Sequence, residues 1–324
     1  MRIQDAFNLT KEDIIKTENL FKDNLVSDVY LIEKVGEYIL NSGGKRLRPL
    51  MLLLSSRLCG YRGSEHIKMA AVVEFIHTAT LLHDDVVDNA NLRRGNPSAN
   101  TVWGNGSSVL VGDYLLSKAF SIAVRNGDLR VMKVLADTTT RMAEGEVAQL
   151  VKHSDTDITE DEYLNVITNK TAVLFSASCR IPAILSDAPP EKEKAMSGYG
   201  MEVGIAYQLT DDCLDYTSKD EDLGKPIGND LKEGKVTLPF IKAYREASGK
   251  EKGIMREAIE ADDIDGETLS SVFEIIKKYR GIEYTTAFAG ERIEKAKKHL
   301  EVFGFDVERA ALTAIADHVT ERKN

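Results

Sequence analysis

The chain has 324 residues, 43% hydrophobic and 29% charged, with a formal net charge of −10. That length accommodates one large domain with a sizeable core, and the hydrophobic share excludes a disordered chain. The negative balance argues against nucleic-acid binding. The three cysteines, Cys59, Cys179 and Cys213, form no CxxC pair. They exclude a disulfide framework or zinc site and suit a reducing, cytoplasmic setting.

Helical periodicity dominates in chain order. A first helix is expected from about Lys11 to Asn41, stopped by Ser-Gly-Gly. Pro49 reopens a helix through LMLLLSSRLCG, and a longer one is expected from about Ser64 to Asn91. NPSANTVWGNGS reads as a loop. Helices are expected near 107–126, 128–152 and 160–187; Pro189-Pro190 breaks the chain, and 191–217 is helical again. LGKPIGNDLKEGK reads as a loop, and several amphipathic helices follow from about Thr237. The polar stretch MRIQDAFNLTKED is not a signal peptide. No alternating β pattern appears, and no run approaches the ~18 apolar residues of a membrane span. Nothing marks a linker, so a single all-α domain over 1–324 is expected.

Chemistry concentrates in HDDVVDNANLRRG. Asp84, Asp85 and Asp88 close the apolar run FIHTATLL, with Arg93 and Arg94 just beyond. At i and i+4, Asp84 and Asp88 share a helix face and repel. They also sit at the helix's C-terminal end, where the dipole disfavours anions. A bound cation reverses both effects, and hard Mg2+ takes carboxylates together with phosphate oxygens. One such triplet alone also fits a solvated acidic helix end. A second, DDCLD, places Asp211, Asp212 and Asp215 after another apolar run, VGIAYQLT. Two facing triplets would hold metals that clamp a diphosphate.

Basic residues accompany them. GGKRLRP carries Lys45, Arg46 and Arg48 at a glycine turn, Lys170 sits in ITNKTAVLF, and Lys225, Lys232 and Lys235 follow the second triplet. Arginine's planar fork and lysine's point charge suit phosphate. His77 lies two turns before Asp84 on roughly the same face, where it fits either a phosphate contact or a hydrogen-bonded core position. No catalytic Ser-His-Asp order, phosphate-binding loop of the GxxxxGK[ST] type, dinucleotide fingerprint or HExxH pair is present.

These residues resemble the trans-polyprenyl diphosphate synthases, nearest the long-chain, octaprenyl-type members. The likeness runs in order through GGKRLRP, EFIHTATLLHDDVVD, NLRRGNPSAN, GNGSSVLVGDYL, AEGEVAQL, NKTAVLF, YQLTDDCLDY and GKPIGNDLKEGKVTLP. The resemblance implies an all-α isoprenoid-synthase-type bundle around a deep central cavity, homodimeric, with up to three Mg2+ per active site. By position it implies that Asp84, Asp88, Asp211, Asp212 and Asp215 handle metal, with Asp85 part of the first motif. Arg93, Lys170, Thr171, Gln208 and Lys225 would support the allylic diphosphate. Lys45, Arg48, His77 and Arg94 would bind isopentenyl diphosphate. The implied reaction is successive trans 1'-4 condensation, from farnesyl diphosphate to an octaprenyl (C40) quinone side chain.

In this family, bulk upstream of the first triplet limits the product. Here the residue five before Asp84 is Ala79, followed by Thr80, with Ile76 and Val73 deeper and Met132 or Met142 as candidate floor. Small groups imply a long product. Alternatives are a shorter product (C20–C35), a non-catalytic subunit of a heteromeric synthase, or a terpene cyclase. The last would not need a second DDxxD or GGKRLRP. Peripheral membrane contact for product release stays open.

Overall fold

The computed structural model describes residues 1–217, 228–261 and 264–322. Helices occupy Ile3–Leu25 (α1), Tyr30–Asn41 (α2), Leu47–Leu58 (α3), Glu65–Val87 (α4), Ala99–Trp103 (α5), Asn105–Val124 (α6) and Leu129–Val151 (α7). Glu160–Ile167 (α8) continues through a π-helical turn, Thr168–Ala172, into Val173–Leu185 (α9), and Pro190–Thr217 forms α10. A single turn at Asn229–Lys232 precedes helices at Leu238–Glu246, Gly249–Glu260, Gly266–Lys278, Gly281–His299 and Val307–Glu321. Among the described residues the only strands are Leu92–Arg93 and Asn96–Pro97, paired antiparallel.

Two apolar clusters build the core. In one, Val73, Ile76 and Ala79 of α4 meet Leu115 of α6, Leu135 of α7 and Leu174 of α9. In the other, Met196, Tyr199 and Val203 of α10 meet the C-terminal helices through Leu238, Ile293 and Leu312. Helices α3 and α9 feed both: Leu52 and Leu174 face the first, Leu50 and Phe175 the second. A helix wedged between two cores is apolar all round, which explains LMLLLSS in α3. Close approach rests on glycine. A Cβ on Gly204 would come within 2.6 Å of Ala172 Cα, and one on Gly145 would collide with the Lys170 backbone nitrogen.

The structure departs from the periodicity in four places. The first expected helix is two, because Ser27 accepts the Val29 backbone N–H at 3.2 Å and offers the chain a local turn in place of helix. The glycine- and asparagine-rich loop contains a short hairpin and helix α5. The helix expected over 160–187 is interrupted by the π-turn. Finally, among the described residues one helix, Asn105–Val124, is long and apolar enough to cross a membrane by length and composition. Its many Gly, Ser and Ala positions hide this from a search for uninterrupted apolar runs, and one side of it packs on α4.

Candidate active site

The three acids that end α4 face three environments. Asp85 is 1% exposed, and its Oδ1 accepts from Arg93 Nε at 2.7 Å and pairs with Nη2 at 2.6 Å. This ties the Leu92–Pro97 hairpin to the helix end. Asp88 is the C-terminal cap, its backbone N–H donating to the Asp84 carbonyl at 2.8 Å. Its carboxylate meets Lys235 Nζ at 2.7 Å, and Lys235 also pairs with Glu233 at 2.7 Å. Burial works against the Lys235 charge, but Asp88, Glu233 and Asp230 outweigh it and hold its pKa up. Asp84 is pushed up to about 6, chiefly by burial; Lys170 opposes the rise, and Glu146 and Asp88 add to it.

The second triplet also splits. Asp211 pairs with Arg322 Nη2 at 2.7 Å, and Arg322 stacks over Tyr207 at 4.0 Å. Asp212 is buried and accepts from the Tyr163 hydroxyl and from Gln208 Nε2, the latter at 2.8 Å. Burial, then the nearby Asp230 carboxylate, pushes Asp212 up to about 8. Asp215 is buried, and its Oδ2 accepts the Asp230 backbone N–H at 3.1 Å. It thereby anchors the turn that starts Asn229–Lys232.

A cleft of about 480 Å³ is lined by residues of both motifs, Asp88 of the first and Asp212 of the second, with Gln208, Lys170, Thr171 and Lys235. The π-turn presents Lys170 and Thr171 together. Lys170 bonds Glu146 at 2.6 Å and Gln149 at 2.6 Å, and Thr171 Oγ1 donates to Gln208 Oε1 at 3.0 Å. Single π-turns recur at functional sites.

The other basic residues gather beside Asp211. Arg48 lies 4.2 Å over the Phe175 ring, and burial lowers its pKa. Lys45 is lowered by burial and by Arg322 and Arg94. Burial and the surrounding Arg48, Arg94, Arg93 and Arg46 push His77 well below its usual range, so its imidazole is neutral. Such crowding of cations selects an anion. Arg46 differs from its neighbours, since it pairs with Glu74 and donates to the Leu40 carbonyl at 3.0 Å. Arg94 donates to the Gly43 carbonyl.

Ile76 and Ala79 are fully buried, in one cluster with Met142. Thr80 is half-buried and donates to the His77 carbonyl at 2.8 Å. Lys225 lies outside the described residues. Sequence reasoning assigned no role to Glu146, Tyr163, Tyr207, Asp230 or Arg322, and read Lys235 as suited to phosphate without its Asp88 partner. Glu146 and Lys235 stand in quoted motifs, AEGEVAQL and GKPIGNDLKEGK, but Tyr163 in DEYLNV and Arg322 carry no local signal.

Among the described residues, no three His, Cys, Asp or Glu side chains converge closely enough to hold an ion by themselves. Mg2+ fits this arrangement, because it is bound by one or two carboxylates and completed by water and substrate phosphate. The donors are hard oxygens, Asp85 Oδ2 has no hydrogen-bond partner, and the raised pKa values of Asp84 and Asp212 mark carboxylates that a cation would relieve.

Comparison with known proteins agrees with this geometry. A polyprenyl synthetase family model matches residues 29–276. The octaprenyl diphosphate synthase of Escherichia coli is 41% identical, covering 99% of both chains. A Rhodobacter capsulatus nonaprenyl diphosphate synthase is 37% identical over 98% of both. A Caulobacter crescentus polyprenyl synthase, solved with calcium and isoprenyl diphosphate, superposes with TM-score 0.96 at 38% identity, covering 99% of this chain and 98% of that one. A geranylgeranyl diphosphate synthase of Methanosarcina mazei, 34% identical over 97% of this chain and 99% of its own, shows that the likeness spans product lengths. The chain therefore belongs to the polyprenyl synthetase family and is a trans-prenyltransferase that lengthens isoprenoid diphosphates, built on the all-α isoprenoid-synthase fold.

Proposed function

We propose that this enzyme adds isopentenyl units to farnesyl diphosphate until it reaches octaprenyl diphosphate, destined for a quinone side chain, on the water side of the membrane. The carrying observation is the cleft lined by Asp88 of one motif and Asp212 of the other, beside a crowd of basic side chains around His77. Mg2+, when bound, would neutralise the diphosphate as it departs. Asp84, Asp88, Asp211 and Asp212 would hold it. In this reading Asp215, which also anchors the Asn229–Lys232 turn, joins them, and Asp85 offers its Oδ2 while its Oδ1 holds Arg93.

Lys170, Lys235, Arg93, Thr171 and, by resemblance, Lys225 would orient the allylic diphosphate. The C1–O bond breaks and its electron pair leaves with the diphosphate. The double bond of the isopentenyl group attacks C1, and the proton then lost passes to the released diphosphate. Lys45, Arg48, Arg94 and the neutral His77 would grip the second diphosphate, with His77 as a hydrogen-bond donor that adds no charge. The Gln208 amide oxygen would face the developing cation, and the apolar residues of α4 would exclude the water that quenches it. Ile76, Ala79 and Thr80 would line the growing chain.

A homodimer accords with the outward face of α6, where Val109, Leu110 and Val124 stand exposed. The identity to octaprenyl diphosphate synthases favours C40 over C20–C35. The test is product analysis by chain length, using purified protein with Mg2+, farnesyl and isopentenyl diphosphates. C40 is expected. Products ending at C15–C20 would refute the chain length. Turnover that persists after chelation would refute the metal assignment, and an inactive pure protein would favour a partner subunit.

A further inference from the structure

Tyr163 lies on α8 in the acidic stretch EDEYLNV, yet it is buried and its hydroxyl donates to Asp212 Oδ2. The other oxygen, Oδ1, accepts from Gln208 Nε2 at 2.8 Å, and Gln208 Oε1 accepts from Thr171 at 3.0 Å. A chain of neutral groups thus runs from the π-turn through Gln208 to Asp212 and ends on Tyr163. Three other motif acids differ, while Asp215 accepts the Asp230 backbone N–H. Asp85 meets Arg93, Asp88 meets Lys235 and Asp211 meets Arg322. A cation on a carboxylate competes with a metal ion for the same charge. A phenol and an amide hold the group in place and leave its charge available.

We propose that Tyr163 is a positioning residue for the second aspartate motif: its hydroxyl, working with the Gln208 amide, fixes the Asp212 carboxylate so that its remaining lone pairs serve a cation in the cleft. Each carboxylate oxygen offers about two acceptor sites, so one donor on each leaves the others open. The helix that carries it is set by a reciprocal cap, in which Thr159 accepts the Glu162 N–H while Glu162 accepts the Thr159 N–H at 2.8 Å. Lys152 braces that cap through Glu162 at 2.8 Å. Partners behind a metal ligand typically change metal affinity 10–100-fold.

The inference rests on reading the second motif as a cation site, and the experiment separates the two. Mn2+ binding is followed by electron paramagnetic resonance with inorganic diphosphate present, in the wild type, Tyr163→Phe, Asp212→Asn and the double variant. Tyr163→Phe should bind Mn2+ about tenfold more weakly. It should also lower kcat while leaving KM for isopentenyl diphosphate unchanged. The double variant should bind as Asp212→Asn does, because the hydroxyl has nothing left to position. The pair also serves if Tyr163→Phe alone misfolds by stranding a buried carboxylate. Wild-type binding by Tyr163→Phe, with loss in Asp212→Asn, would reduce Tyr163 to packing. Further loss in the double variant would do the same. Wild-type binding in both single variants would overturn the cation site and this proposal with it.

Discussion

At the scale of single residues, Asp84 and Asp212 are carboxylic acids that resist ionisation, with pKa values raised to about 6 and about 8 from 3.8. The folded protein therefore binds these protons more tightly than the unfolded chain does. The stability they contribute is complete below about pH 4 and is lost as pH rises through 6 to 8. Metal-free protein should accordingly lose melting temperature over that window, and Mg2+ with diphosphate should restore it. Calorimetry at pH 7 in buffers of different ionisation enthalpy should register proton release on metal binding, which a flat response would refute. Ala79→Tyr is the second residue-scale test. It should shorten the product, with overpacking costing about 1–3 kcal/mol in a melt; an unchanged product would remove Ala79 from the chain's path. The acid triplets and their spacing are legible in the sequence because a helix sets i and i+4 locally. Their counter-charges are not, since Lys235 reaches Asp88 across 147 positions and Arg322 reaches Asp211 across 111.

At the scale of elements, the site depends on how closely α7 approaches the π-turn. Gly145 permits that contact, and Glu146 beside it pairs with Lys170 at 2.6 Å. Gly145→Ala should push the π-turn outward, costing about 1–3 kcal/mol of stability and reducing kcat, whereas Gly253→Ala, with open space around it, should do neither. Thermal melts and steady-state rates on the two variants make the comparison. Most helix boundaries could be read from apolar period and from Gly and Pro. The break after α1 could not, because it rests on a Ser27 backbone bond and on Leu25 folding back against Gly36. The π-turn escaped for a similar reason: ITNKTAVLF has the period of an ordinary helix, and only packing against α7 and α10 reveals the extra residue.

At the scale of the whole molecule, α6 carries two charges, Asp113 and Lys118, in twenty residues and leaves Leu110 69% exposed. An apolar helix flank open to water is a surface in want of a partner, and we propose a second copy of the chain. Leu110→Arg should then halve the mass seen by analytical ultracentrifugation while leaving the fold intact by circular dichroism. A wild-type monomer would refute the pairing. The likeness to known synthases extends across the whole chain, but sequence composition could not distinguish a helix packed in a dimer from one that crosses a bilayer. Partial burial on α4 weighs toward the first.

The π-turn has a further consequence. An extra residue held in an unbroken α-helix would rotate α8 by about 100° relative to α9 around their common axis. The wider π-turn takes up that residue instead. Forcing Thr168–Ala172 into regular α-helix at its present length would therefore swing Tyr163 away from Asp212, because α9 is seated in both cores. Deleting one residue there would keep the two phases but lose the widened backbone that presents Lys170 and Thr171 together. The turn works as a phase keeper: it lets one continuous rod hold the register of the core while it bulges for the chemistry.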